Sequence, residues 1–419
     1  MESDLNENQI KIHRNYEFRL YPTDDQMDLL ENHFFTSNQA WNFYLDSRIK
    51  DLEKNKDLPK ANRIYKKFND SYREAIDSLK HRGLKYNSCL IQDEMRKLDS
   101  TFQRFFSKKS EGYGFPKFAK SKSTEQSFIL RNQAASWTSE YLQIFKQKIK
   151  WVQHRAIPDD AKFNGGIIKR HADGKYFVIL NLTMIHELPE NTSTAECGID
   201  LNVGNISISD SIGPTRITRM VPLPDFSKSK YSKRYKKIQK ALSNRYLKKN
   251  FSKNTKKLQK RLNKINQKTK NQKEDFFHKL SKKIANDNYG RITIEDLNID
   301  KMKQSESTAL NRSISDTSWG SLITKIKYKA EMHNVIVREI NPAYSSQRCH
   351  ECGHISKNNR QSQSDFHCEN CQHTTNADCN ASLNILDYDI WAAAQQALIS
   401  KWKSKSSSVV QQLLEAPSL

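Results

Sequence analysis

Residues 344–385 read YSSQRCHECGHISKNNRQSQSDFHCENCQHTTNADCNASLNI, and the reading of this stretch decides how the rest of the chain is read. It holds four cysteines spaced Cys349-x2-Cys352-x15-Cys368-x2-Cys371, and Asp378 opens a helical pattern seven residues after the last of them. Each CxxC turn presents two thiolates to one tetrahedral metal, so the two turns together fill a Zn²⁺ shell with four sulfurs. A shell closed in this way is structural, because no position is left open for chemistry. The competing reading is four unrelated or disulfide-bonded thiols; it fits poorly with a chain read as staying in a reducing compartment. Asp378, by contrast, needs partners from elsewhere in the chain.

Composition narrows the search for them. Over 419 residues, 70 Lys and Arg stand against 47 Asp and Glu, a formal charge of +23. A mean hydropathy of −0.83 implies small cores and a large polar surface. The charge favours a polyanionic partner, nucleic acid before an anionic membrane. No apolar run approaches the roughly 20 residues of a membrane span, and MESDLNENQIK has no apolar signal core. The expectation is a cytoplasmic protein that does not engage a membrane, with Cys89, Cys197 and Cys379 as free thiols.

Apolar side chains alternate through residues 10–21, which predicts a strand ended by Pro22. Thr23-x-x-Gln26 has the form of a capping box and opens a helix or broken helix pair. Further helical patterns near Ile64–Leu79 and Leu90–Phe106 make residues 23–108 a helical block. The stretch Gly112–Pro116 breaks it, and short strand patterns follow at 127–131, 141–145 and 149–153. Residues 165–182 read as a hairpin turning at Asp173-Gly174. Strand 10–21 is expected to complete that sheet, with the helices inserted between. Strand patterns recur at 197–201, 205–209, 215–221, 291–296 and 335–340, with a helix at 316–333 and another from about Ala377 to Trp402.

Between Lys228 and Lys273 stand nineteen Lys and Arg and no Asp or Glu. An apolar stripe from Tyr235 to Ile265 makes this two basic helices; lying between Asp200 and Glu295 in the chain, they are expected to dock on the core that carries those two acids, beside its cleft. Ordinary solvated faces mix both signs of charge, so a one-signed face points to phosphate contact, with Lys248, Lys249, Lys256 and Lys257 as candidates.

Three acids stand out by context. Asp200 lies inside the apolar strand Cys197–Leu201, Glu295 ends a second apolar strand, and Asp378 begins a helix. An acid inside an apolar strand is costly unless it is paired or metal-bound. Two strands and a helix can bring all three to one sheet edge. There they would hold two Mg²⁺ about 3.5–4 Å apart, the arrangement for phosphodiester hydrolysis.

These residues carry a resemblance. Gly198-Ile199-Asp200-Leu201, Ile294-Glu295-Asp296-Leu297-Asn298 and Asn376-Ala377-Asp378-x-Asn380-Ala381-x-x-Asn384-Ile385 are similar to the three motifs of a split RuvC-like nuclease. Tyr344-Ser345-Ser346-Gln347-x-Cys349-x-x-Cys352-Gly353 resembles the ribbon entry of the TnpB proteins of insertion sequences. Tyr16-x-Phe18-Arg19-Leu20-Tyr21-Pro22, Gly114-Phe115-Pro116-x-Phe118, Trp319 and Tyr328-Lys329-Ala330 match the same family in order. Two positions depart from it: Asn202 stands where many relatives have Gly, and no Gly follows Ile385-Leu386.

The resemblance implies an α+β multidomain chain. A β-barrel-like wedge domain (1–22 and 113–190) carries an inserted helical recognition domain (23–112). An RNase H-like (RuvC) α/β nuclease domain (191–343 and 374–404) carries an inserted zinc ribbon (344–373), and a disordered tail (405–419) ends the chain. The implied activity is Mg²⁺-dependent, RNA-guided DNA cleavage with Asp200, Glu295 and Asp378 as the acids. The implied partners are a transposon-encoded guide RNA and a double-stranded DNA target beside a short motif, bound by a monomer on one RNA in a bacterial or archaeal cell. The alternatives are a family member that binds without cutting and acts as a repressor, a miniature type V CRISPR effector, and a DNA-strand transferase.

Overall fold

In a computed structural model, residues 6, 8–107, 114–120, 123–212, 216–224, 232–249, 252–297, 302 and 317–400 are described. The chain forms two compact units: Gln9–His186 with Ile238–Gln267, and Glu187–Lys237 with the chain from Lys268 onward.

The first unit is built on a barrel-like seven-stranded sheet ordered β2-β6-β7-β1-β5-β4-β3. Strand β1 (Gln9–Tyr21) alternates as its sequence does, with Tyr16, Phe18 and Leu20 buried. It pairs antiparallel with β5 (Gln147–Val152) in the register Arg19↔Val152. The remaining strands are β2 (Gln126–Leu130), β3 (Ala135–Trp137), β4 (Tyr141–Ile144), β6 (Lys162–Arg170) and β7 (Tyr176–Glu187). Phe18 meets Trp151 edge to face at 4.9 Å, inside a core that also holds Leu30 and Phe34 of α1 (Asp24–Lys54).

Thr23 and Gln26 cap α1 reciprocally, and the helix runs unbroken for 31 residues. Its Tyr44 and Leu45 share a second core with α2 (Phe68–His81) and α3 (Ser88–Phe106). The start of α2 differs from the sequence expectation of Ile64. Asn55 Oδ1 accepts from Ile64 N at 2.7 Å and Asp51 Oδ2 from Lys66 N at 2.9 Å, so the end of α1 holds residues 64–66 out of the helix.

The second unit has a five-stranded sheet ordered β10-β9-β8-β11-β12. Its strands are β8 (Glu196–Leu201), β9 (Asn205–Asp210), β10 (Ile217–Pro222), β11 (Arg291–Glu295) and β12 (Ile336–Ile340). β8, β11 and β12 run parallel, while β9 and β10 turn back as a meander. Helix α6 (Trp319–Met332) contributes Trp319, Leu322, Ile326 and Ala330 to the core. Helix α7 (Ala377–Leu386) packs across β8 and β9. The small hairpin β13–β14 (Asp365–His367 and Thr374–Asn376) runs straight into α7.

Two expectations are corrected. The C-terminal helix is not continuous to Trp402: α7 stops at Leu386, and a separate helical stretch covers 388–400. Asp387 at the break is held by Arg216 and by His350 Nε2 at 2.8 Å, while Asp389 pairs with Arg291 and Arg338. The basic stretch forms α4 (Ser232–Leu247) and α5 (Lys253–Asn286), yet its apolar stripe does not dock wholly on the nuclease core. Residues Ile238–Gln267 belong to the first unit, where Asn263 Nδ2 donates to Ala172 O at 2.9 Å in the β6–β7 turn. The end of α5 enters the second unit's core through Phe277, Leu280 and Ile284. Asn298, the residues Lys228, Gly112 and Tyr113, and the tail 405–419 lie outside the described residues. No helix of the described residues is long and apolar enough to cross a membrane.

Candidate active site and metal centre

β8 and β11 pair in the register Ile199↔Ile294, so the next residues, Asp200 and Glu295, come side by side where the parallel strands end. Asp378 reaches the same place from the first turn of α7, where the helix N-terminus favours an anion. Asn376 caps that turn, accepting from Asp378 N at 2.9 Å and Cys379 N at 3.3 Å. α7 lies this close because β8 and β9 present little bulk beneath it. Ser207 and Ser209 of β9 meet Ser382 of α7 at 3.0 and 2.7 Å. A Cβ on Gly198 would stand 2.3 Å from Leu386 N and 2.5 Å from Ser382 O.

All three carboxylates are buried, with 7%, 8% and 5% of their surfaces exposed. Buried charge of this kind costs several kcal/mol per ion unless it is compensated, and the compensation here is thin. Asn202 Nδ2 donates to Asp200 Oδ2 at 2.7 Å, Asn205 Nδ2 to Asp378 Oδ2 at 3.2 Å, and Ser345 Oγ to Glu295 Oε1 at 2.6 Å. Arg360 lies 3.4 Å from Asp378 Oδ1.

The titration behaviour reports the same crowding. Burial pushes Asp200 up to about 6, opposed by the Asn202 hydrogen bond and reinforced by the charge of Asp378. Glu295 is pushed up to about 8, by burial first and then by the charge of Asp200. Asp200 therefore feels both other acids. Perturbed carboxylates gathered at one sheet end are a recognised mark of a functional site.

The carboxylates fit divalent Mg²⁺ in chemistry: hard oxygen donors, mutually repelling, buried, and short of cations. Among the described residues, only the four cysteines bring one ligand atom each within 4.8 Å of all the others. The three acids do not meet that 4.8 Å limit.

The cysteines fit zinc by geometry. Cys349 and Cys371 Sγ are 3.7 Å apart, and Cys352 and Cys368 Sγ 3.6 Å. A tetrahedron with Zn–S of about 2.3 Å has edges of about 3.8 Å. The two turns are built alike. Cys349 N donates to His354 O at 2.8 Å and Gly353 N to Cys349 O at 2.9 Å. Cys368 N donates to His373 O at 2.9 Å and Gln372 N to Cys368 O at 3.0 Å. Gly353 and Gln372 take the matching left-handed positions, with φ of 77° and 62°.

Lys248, Lys249, Lys256 and Lys257 are exposed at the turn between α4 and α5 and belong to the first unit, whereas the acids belong to the second. Sequence reasoning missed Asn205, Ser345 and Arg360 as partners of the acids. Asn202 had been singled out only as a departure from Gly, and Ser345 only as part of the ribbon entry. Arg360 sits in a polar loop that carried no signal.

Three family models match the chain and together span more than half of it. "Helix-turn-helix domain" matches 12–57, "Probable transposase" 180–306 and "Cas12f1-like, TNB domain" 319–385. The first of these ranges holds β1 and the single helix α1 in this structure. The chain is 29% identical over 314 residues to "Putative RNA-guided DNA endonuclease InsQ" of Escherichia coli strain K12, covering 71% of this chain and 73% of the relative. It is 24% identical over 400 residues to a "Putative RNA-guided DNA endonuclease" of Streptomyces pristinaespiralis, covering 92% and 91%. Among solved structures, the Cas12f1 chain of a complex with a single guide RNA and target DNA aligns with a TM-score of 0.52. That alignment is at 14% identity over 87% of this chain and 83% of the other, which is a likeness of fold.

Proposed function

Because the chain belongs to the TnpB-like family, we propose that it is an RNA-guided DNA endonuclease of an insertion sequence. It uses a guide RNA to bind a double-stranded DNA target beside a short motif, and it cleaves by metal-assisted phosphodiester hydrolysis. The observation that carries this reading is the convergence of buried Asp200, Glu295 and Asp378 from two parallel strands and a helix at one end of the sheet.

In this reading Asp200, Glu295 and Asp378 hold Mg²⁺, and Cys349, Cys352, Cys368 and Cys371 hold one structural Zn²⁺. Bound Mg²⁺ would supply a water-derived nucleophile and a counter-charge for the leaving oxygen. The chain's own residues fix the geometry. Asn202 orients Asp200, Asn205 orients Asp378, Arg360 offers a cation beside Asp378, and burial keeps bulk water from competing. The proposed domains are the wedge (1–22 and 113–190), the recognition helices (23–112), the nuclease (191–343 and 374–404) and the ribbon (344–373).

The test is single-turnover cleavage by guide-loaded protein with Mg²⁺. Asp200→Ala, Glu295→Ala and Asp378→Ala should each abolish cutting and leave guided DNA binding largely intact. Cutting near the wild-type rate in any one of them removes that acid from the site. A repressor would bind the target without cutting it, and a strand transferase would join ends rather than release them.

A further inference from the structure

Glu295 differs from the other two acids in where its support comes from. Asp200 and Asp378 are met by Asn202 and Asn205, which flank the β8–β9 turn. Among the described residues, the side chain that hydrogen-bonds Glu295 is Ser345, in the turn that leads into the ribbon. Ser345 is 3% exposed, and its Oγ stands 2.6 Å from Glu295 Oε1 and 3.0 Å from Pro342 O. The shorter contact is that of a hydroxyl donating to a carboxyl oxygen.

The turn holding Ser345 is fastened on every side. Asn384 of α7 donates to Ser345 O at 2.9 Å and to Arg348 O at 2.7 Å, and its Oδ1 accepts from Arg348 Nη1 at 2.7 Å. Asn380, one helical turn earlier, donates to Arg348 O at 2.7 Å and accepts from His350 N at 3.0 Å. Gln395 donates to Asn341 O at 3.0 Å and Ala343 O at 2.5 Å. The residue after Arg348 is Cys349, the first sulfur of the metal centre. One short segment thus carries a hydrogen bond to the carboxylate at one end and a zinc ligand at the other.

We propose that Ser345 is a positioning residue for Glu295, and that through it the zinc ribbon sets the orientation of a catalytic-metal ligand. A Glu side chain has three rotatable bonds, and a single fixed donor selects which way its carboxylate faces. Outer partners of metal ligands typically change metal affinity by about 10–100-fold. The ribbon is then part of the active-site frame. The inference rests on Glu295 being a ligand of the catalytic metal, as proposed above.

The experiment measures Mn²⁺ binding to guide-loaded protein without target DNA, by electron paramagnetic resonance, alongside zinc content and melting temperature. Wild type should bind Mn²⁺, and Asp200→Ala should lose that binding. Ser345→Ala should keep one zinc and bind Mn²⁺ at least about tenfold more weakly. Removing zinc through Cys371→Ser should weaken Mn²⁺ binding in the wild type, and add little in the Ser345→Ala background. If Ser345→Ala melts earlier but binds Mn²⁺ as wild type does, while Asp200→Ala does not bind, Ser345 is merely structural and the inference alone fails. Mn²⁺ affinity unmoved by zinc loss overturns the tie to the ribbon. Failure of the wild type itself to bind Mn²⁺ overturns the metal reading and this inference together.

Discussion

Gly198→Ala adds one methyl group beneath α7, and the structure says how far the helix must move. The new Cβ would lie 2.3 Å from Leu386 N, 2.5 Å from Ser382 O and 2.7 Å from Leu386 Cα. All three are backbone atoms, so no rotamer change relieves the clash. Ordinary carbon contacts begin near 3.5 Å, so α7 must retreat by about 1 Å. Overpacking of this kind costs about 1–3 kcal/mol, which lowers the melting temperature without unfolding the protein. Asp378 rides on the same helix, and a displacement of about 1 Å in a reacting group can cost about 10²-fold in rate. That factor corresponds to about 2.7 kcal/mol in the barrier. The assay is single-turnover cleavage of a matched target by guide-loaded protein at saturating Mg²⁺, with target affinity and melting temperature measured on the same preparation. The expected result is a rate down by about 10²-fold, with affinity unchanged, because base pairing and basic surfaces bind the DNA. A variant that cuts at the wild-type rate would show that α7 does not depend on this close approach to place Asp378, and the geometric argument would be wrong.

Metal analysis of pure, unchelated protein should find one Zn²⁺ per chain. Replacing Cys349 or Cys368 should remove it and unfold the ribbon, whereas zinc-free wild type would sink the assignment. Replacing exposed Lys248, Lys249, Lys256 and Lys257 together with Gln should weaken nucleic-acid binding about equally across matched targets. If all four meet phosphates, the slope of log affinity against log salt should fall by about 3–4; an unchanged slope would leave the hairpin as a solvated surface. Burial raises Asp200 to about 6 and Glu295 to about 8, so the native state binds protons that the unfolded chain has already released. Their contribution to metal-free stability is therefore full below about pH 4 and lost as pH rises through about 6 and then about 8. An Asp200→Asn, Glu295→Gln double variant should gain melting temperature over the wild type across that window, and added Mg²⁺ should narrow the gap; a constant difference at all pH values would refute the shifts.

What the sequence determined by itself is the local chemistry. The pairs Cys349/Cys352 and Cys368/Cys371 mark a candidate metal site because CxxC turns are short-range geometry, while the Sγ distances of 3.7 and 3.6 Å across the two turns come from the fold of the ribbon. Alternation located β1, an apolar run located β8, and the Thr23–Gln26 box located the start of α1, because strand faces and helix caps are settled within a few residues. Asp200 was visible because a charge inside an apolar strand is conspicuous, and Glu295 and Asp378 because they end a strand and open a helix. What lay beyond the sequence depends on side chains meeting across long separations. Ser345 supports Glu295 from 50 residues away, Asn205 meets Asp378 from 173 residues away, and nothing in either segment marks the other. The same holds for the basic hairpin, where Asn263 bonds to Ala172 and draws the outer part of the pair into the first unit. Periodicity tells which side of an element is apolar but not which surface will cover it. Only close packing decided that, as Gly198 shows: in sequence it is one small residue before an acid, and in the fold it is the clearance that lets α7 bring Asp378 to Asp200.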